Sequence, residues 1–303
     1  ARGAAAEHLY VAGATTVSVY TLDGSLVRSM ATGTNSCGIL KFDADGNLYV
    51  VGNDAVIVYA KGSRRVLRKL TIGMDSPCGI AFDSSGNVYV SNFFGSTANG
   101  HDEGSVTVYA PGSTKLLRTI TSGMSWPGSM AFDASGNLYV ANCEFFCGIR
   151  VYAPGKTSVL RSITKGVVAP GLIRFDQLGT LYCACDGIGT VSVYPGGKPS
   201  QMRTITRGIN QPAWMTFDER GNLYVANAGA NTVTEYGPGG EPMKRTIKRG
   251  VSGPNTVVFD ASGNLYVANG ATKNVTVYAP GRSSVLRTIP VSADGATGAA
   301  IGP

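Results

Sequence analysis

With 303 residues, 43% of them hydrophobic, 41 glycines and 14 prolines, the chain can bury a large core, and its apolar residues alternate over short runs between turn signals, as strands do and helices do not. No stretch approaches the length of a transmembrane helix. The net charge of +7 invites a nucleic-acid reading, yet much of the excess comes from one recurring position, Arg28, Arg68, Arg118, Arg161, Arg203, Arg245 and Arg287, and charge spread this evenly does not make the clustered groove that tracks a phosphate backbone.

From the N-terminus, the first strands are Leu9-Tyr10-Val11, a run closing at Tyr20, and a third strand carrying Arg28; the same order then returns along the chain. Tyr10, Tyr49, Tyr89, Tyr139, Tyr182, Tyr224 and Tyr266 each sit in an LYV-like triplet, and Tyr20, Tyr59, Tyr109, Tyr152, Tyr194, Tyr236 and Tyr278 each close a VxVY-like run, which accounts for all 14 tyrosines. Intervals of 39 to 50 residues within the first set match the period of four-stranded propeller blades. Strands a to d are illustrated by PGSMAFD (127–133), GNLYVAN (136–142), IRVYA (149–153) and VLRSIT (159–164). The a-to-b turn carries FDxxGN, in which Asp43, Asp83, Asp133, Asp176, Asp218 and Asp260 accept turn N–H groups and the glycine takes positive φ. The arginines fall on strand d, where a solvated outer strand is expected; a belt that binds acidic polysaccharide or a membrane surface is the weaker alternative.

The array starts out of phase. Its first unit supplies strands b, c and d only, and the chain ends on an orphan strand a at 296–301; laying Ile289 on Ile120 without gaps puts Ile301 on Phe132. The expected fold is therefore all-β, a seven-bladed β-propeller of four-stranded antiparallel blades. Residues 1–303 form one domain, closed by the C-terminal strand joining the N-terminal blade. The same strand donated to a neighbour produces a polymer instead.

The units, such as FDASGNLYVAN at 132–142 and 259–269, resemble NHL-type β-propeller repeats over essentially the whole chain. Propellers similar to these include binding scaffolds, lactonase-like hydrolases and a streptogramin lyase, so the resemblance implies a fold and not one function.

Strand a of each blade should line the central channel. None of the seven segments, CGILKF (37–42), PCGIAF (77–82), PGSMAF (127–132), PGLIRF (170–175), PAWMTF (212–217), PNTVVF (254–259) and ATGAAI (296–301), contains aspartate, glutamate or histidine. Metal binding and general acid–base chemistry both need such groups, so no metal, no cofactor and no channel-based catalysis are expected. Lys41 and Arg174 share one channel register opposite small residues; they either hold an anion together or snorkel toward solvent.

Subtracting the repeat leaves two aromatic pairs, Phe93-Phe94 and Phe145-Phe146, in the b-to-c loops of consecutive blades. The first opens the long insertion at 91–105. Trp126, in a d-to-a loop, falls on the same face, as do Asn92 and Asn142, which either terminate the b-strands or hydrogen-bond a ligand, and the polar cluster His101-Asp102-Glu103. The aromatics either project to dock a partner or fold inward over their own blades. The six cysteines lie near that face, and an even count in an apparently exported chain favours disulfides: Cys37 with Cys78 and Cys143 with Cys147, with Cys183 and Cys185 undecided. A zinc site from Cys143, Cys147, Cys183 and Cys185 is the alternative.

The chain begins without methionine, as a mature exported protein or a trimmed chain would. The function expected is a secreted, cell-surface or periplasmic propeller that binds or assembles without chemistry through its aromatic loops, taking a protein, a carbohydrate or another copy of itself and no nucleic acid. The alternative is a lactonase-like hydrolase or lyase with its site on the loop face around His101, Asp102, Glu103 and Glu144.

Overall fold

The alternating strands assemble into seven four-stranded antiparallel sheets arranged as a ring in the computed structural model, which describes residues 7–32, 36–94, 104–143, 147–291 and 294–303, without the side chains of Ser36, Cys37 and Gln201. Blade 4 shows the plan, with strand a at Pro127–Phe132, b at Leu138–Asn142, c at Gly148–Tyr152 and d at Arg161–Ile163. Strands b and c, buried on both faces, form the cores between blades, and strand d forms the outer edge.

The orphan strand closes the ring within the chain. Gly298–Gly302 pairs antiparallel with His8–Ala12, so that blade 1 reads a from the C-terminus, then b, c (Thr16–Thr21) and d (Leu26–Ala31). Ile301 faces Leu9 as Phe132 faces Leu138, which is the register that the ungapped alignment predicts. The seam is sealed at both ends: Tyr10 Oη donates to Pro303 O at 2.5 Å, and Thr297 N donates to Ala12 O at 2.8 Å. It is also too tight for side chains, because a Cβ on Gly298 would stand 1.8 Å from Gly38 O.

The FDxxGN turns follow the sequence reading. In blade 4, Asp133 Oδ1 accepts from Ser135 N and Asn137 N, both at 2.9 Å, and Gly136 holds φ 78°. A side chain in that left-handed region pays a steric cost, hence the glycine.

All 14 tyrosines hold the ring together. At six blade boundaries the strand-b tyrosine meets the strand-a phenylalanine of the next blade edge-to-face at 4.9 to 5.0 Å, as Tyr139 meets Phe175. At the seam Tyr266 packs with Ile301 instead. The strand-c tyrosines donate to carbonyls where the previous blade hands over the chain, Tyr152 Oη to Ser122 O at 2.7 Å and Tyr278 Oη to Arg249 O at 2.6 Å. Burial pushes the Tyr152 and Tyr278 phenols up, Tyr152 far above its ordinary value, so both stay neutral O–H groups.

The arginines depart from the expected solvated belt. Each stands opposite the strand-c residue that is itself opposite the strand-b tyrosine, as in the row Tyr49, Val58, Arg68. A long side chain can lie across the valine to the phenol, and Arg68 and Arg118 donate to Tyr49 and Tyr89 Oη at 2.8 and 2.6 Å, with Arg28 and Arg161 on Tyr10 and Tyr139 in the same way. Their guanidinium carbons lie 5.6 to 6.0 Å from the ring centroids. In blade 6 the valine is replaced by Glu235, which is buried and ion-paired with Arg245.

Candidate functional site

A propeller offers two faces and a channel. The a-to-b and c-to-d turns crowd one face with repeated, self-satisfied turns. The other face carries the b-to-c and d-to-a loops, where the repeat breaks down, and the channel opens there between strand-a walls around a cavity of about 1070 Å³.

At the mouth of that channel Phe93 and Trp126 stack, centroids 5.1 Å apart and planes 26° apart, with Phe94 edge-on to Phe93 at 5.0 Å. Two loops bring the rings together. Phe93 follows strand b of blade 3 and its N–H is fixed on Ser76 O at 3.0 Å, while Trp126 precedes strand a of blade 4 at φ 50°. Phe93 is half-buried in the stack and Phe94 is 39% exposed, so one ring bridges the blade boundary and the next faces outward. Cys143 and Cys147 form a disulfide at the root of the neighbouring loop. Phe145, Phe146 and Glu144 within that loop, and His101, Asp102 and Glu103 in the insertion, lie outside the described residues.

The other cysteines divide. Cys78 Sγ lines the channel and donates to Pro127 O at 3.0 Å; the Cys37 side chain is outside the described residues, so their pairing is too. Cys183 and Cys185 are fully buried in strand b of blade 5 with their sulfurs 3.6 Å apart, as separate thiols. The contact with Cys185 and burial push the Cys183 thiol well above its ordinary value. The four-cysteine zinc alternative does not form: two are oxidised to each other and two sit in the core, and among the described residues no three metal-ligating side chains converge.

Asn92 and Asn142 do not present their amides to the face. Both are completely buried. Asn142 Oδ1 accepts from Ser125 N at 2.7 Å and its Nδ2 donates to Gly123 O at 3.1 Å, which pins the d-to-a loop to the end of strand b; Asn92 does the same for Asp75 N at 3.2 Å. Of the two roles open to them, the binding one is therefore corrected to the structural one at the strand end, because a buried amide must satisfy itself within the fold.

Inside the channel, Lys41 and Arg174 occupy one level, with Ala81, Ala131, Thr216, Val258 and Ala300 at the equivalent positions. Each reaches sideways to the next blade. Arg174 lies over the Trp214 ring at 4.8 Å, and Lys41 Nζ is 5.7 Å from the Phe82 centroid and 3.5 Å from Ile80 O. Lys41 is exposed to the channel, and partial desolvation by the protein around that channel, with the Arg174 charge adding to it, pulls its ammonium down to about 8. Desolvation lowers Arg174 to about 10, which leaves it charged at neutral pH. Sequence reasoning missed Asp186, an exposed carboxylate that follows strand b of blade 5 and lines the cavity at its rim; it lies outside every strand-a segment, the place where channel residues were sought.

No protein-family model matches the chain, and no curated protein does. Solved structures share the fold. A functionally unknown protein from Desulfotomaculum acetoxidans DSM 771 superposes with a TM-score of 0.78 at 12% identity, covering 97% of this chain and 98% of that one. A chain of a nidogen/laminin complex gives 0.62 at 17% identity, with 98% of each chain covered, and the computationally designed protein Ika8 gives 0.68 at 17%, covering 96% and 85%. At these identities the likeness establishes the seven-bladed propeller alone.

Proposed function

We propose that this propeller is a binding scaffold without chemistry of its own, exported from the cell, whose contact surface is the aromatic face between blades 3 and 4, and that its partner is a protein surface. The observation that carries the reading is the stack of Phe93 on Trp126 with Phe94 turned outward at the channel mouth. Ring-repeated tyrosines, arginines and asparagines are consumed in holding blades together, so the side chains left over on the irregular face are the ones free to make a contact. Clustered, partly exposed aromatics supply large contact area at low entropy cost. The Cys143–Cys147 disulfide supports an oxidising compartment, and the structural likeness to a chain of a nidogen/laminin complex supports protein binding. The FDxxGN turns of the units resemble those of NHL-type repeats, and we read the chain as a propeller of that kind.

The test is a chain with Phe93, Phe94, Phe145 and Phe146 changed to serine. Its melting transition should match the native one, because Phe93 and Phe94 belong to no blade core, and its association with partner or with itself should weaken about 30-fold or more, as loss of an aromatic anchor does. Association that survives the four changes sinks the reading.

A further inference from the structure

Among the described residues, the positive charge inside the channel has no counter-charge at its own level. Among the described lining residues, Lys41 and Arg174 meet one carboxylate, Asp186, and it sits at the rim. Arg174 lies four residues down strand a from Pro170, the residue paired with Cys185, so roughly 13 Å of strand separates the level of Arg174 from that of Asp186. Hydrogen bonding is unbalanced as well. Arg174 Nε and Trp214 Nε1 are both shut off from water without an acceptor, and these two orphan donors belong to side chains stacked on each other. Buried donors left unpaired are costly, so native structures rarely keep them without something that accepts from them.

We propose that the channel binds a small organic anion, with its acid group accepting from the terminal nitrogens of Arg174 and from Lys41 and its apolar body lying against the strand-a walls. The stacked guanidinium is held flat on the indole and can turn its free edge to a carboxylate in the bidentate manner that suits arginine. Lys41, reaching in from blade 2, adds a second cation from across the ring and gives up a long contact to Ile80 O and its place by the Phe82 ring. Around this polar spot the walls are apolar, with Ile39, Met130 and Leu172 among them, and the cavity of about 1070 Å³ has room for a ligand of that kind. Inorganic anions gain nothing from such walls. This site uses residues separate from the aromatic loops, so it can stand or fall independently of the protein-binding reading.

Trp126→Phe leaves Trp214 as the lone tryptophan, since the chain has 2, and its fluorescence then reports on the site directly. Benzoate and hexanoate are titrated against their neutral isosteres, benzamide and hexanamide, with calorimetry alongside. The acids should bind saturably at one per chain and change the Trp214 emission, with the amides at least about tenfold weaker. Arg174→Met should weaken the acids by at least about tenfold without lowering the melting temperature; if that variant fails to fold, Lys41→Met carries the same comparison. Equal affinity for acids and amides, no saturable binding up to roughly 10 mM, inorganic phosphate binding as tightly as benzoate, or affinity unchanged in whichever variant folds would each overturn the proposal.

Discussion

Deleting residues 296–303 should abolish the cooperative unfolding transition of the whole chain and leave a species that associates through strand edges. The C-terminal strand supplies one quarter of blade 1, pairs with His8–Ala12 along its length, and buries Ala296 and Ala299 in the core shared by blades 7 and 1. It also accepts from Tyr10 Oη through Pro303 O and from Asn255 Nδ2 through Ala296 O at 3.0 Å, so it ties blade 1 to blade 7. Without it Leu9 and Val11 lose their cover and strand b of blade 1 becomes an open edge, ready to pair with another chain. The expected loss exceeds about 4 kcal/mol, a large share of the stability of any domain. Urea titration followed by circular dichroism reads it, and the octapeptide of residues 296–303 added in trans should restore part of the transition by strand addition. A truncated chain that melts like the native one would show that closure contributes little.

Tyr89→Ala should cost about 3 to 5 kcal/mol, the range for emptying a buried aromatic site. Tyr89 is almost fully buried, its ring packs edge-on against Phe132 of the next blade at 5.0 Å, and its Oη accepts from Arg118 Nη2 at 2.6 Å. Removal therefore leaves a cavity at a blade boundary and an arginine without its acceptor, and the Arg118 Nε is already unpaired. Tyr89→Phe keeps the ring and gives up the hydroxyl, for about 1 kcal/mol. The same change to alanine at Tyr266 should cost less by the edge-to-face contribution, about 0.5 to 1.5 kcal/mol, because the seam offers Ile301 where the other boundaries offer phenylalanine. Equal losses for Tyr89→Phe and Tyr89→Ala in chemical denaturation would contradict the packing account.

The ring was legible because its construction is repetitive. Two tyrosines per unit, with a strand-a phenylalanine in six of the seven, set blade number and strand order, and the register of the last strand followed from laying Ile301 on Phe132. The arginines were misread because a side chain on an outer strand is assigned to solvent by its own strand, whereas its length carries it over Val58 or Val108 to a phenol two strands in. The asparagines were legible as strand-end residues but their partner was not: their amides serve a loop 17 residues away in sequence, which no local pattern announces. Lys41 and Arg174 stood out by register alone, but the stacking of Arg174 on Trp214 joins neighbouring blades and needed coordinates. Likewise Phe93 and Trp126 were placed on one face by topology, but their stack joins two loops of different blades and needed coordinates.

The central claim is that the aromatic face is the one that meets a partner. A photo-cross-linking phenylalanine analogue placed at Phe94 reports on that face, and the same analogue at Leu178, which is 83% exposed in the a-to-b turn of blade 5, reports on the opposite one. Irradiation in the chain's native setting should give a discrete cross-linked protein from position 94 and none from position 178. Equal cross-linking from both positions, or cross-linking from 178 alone, would contradict the account.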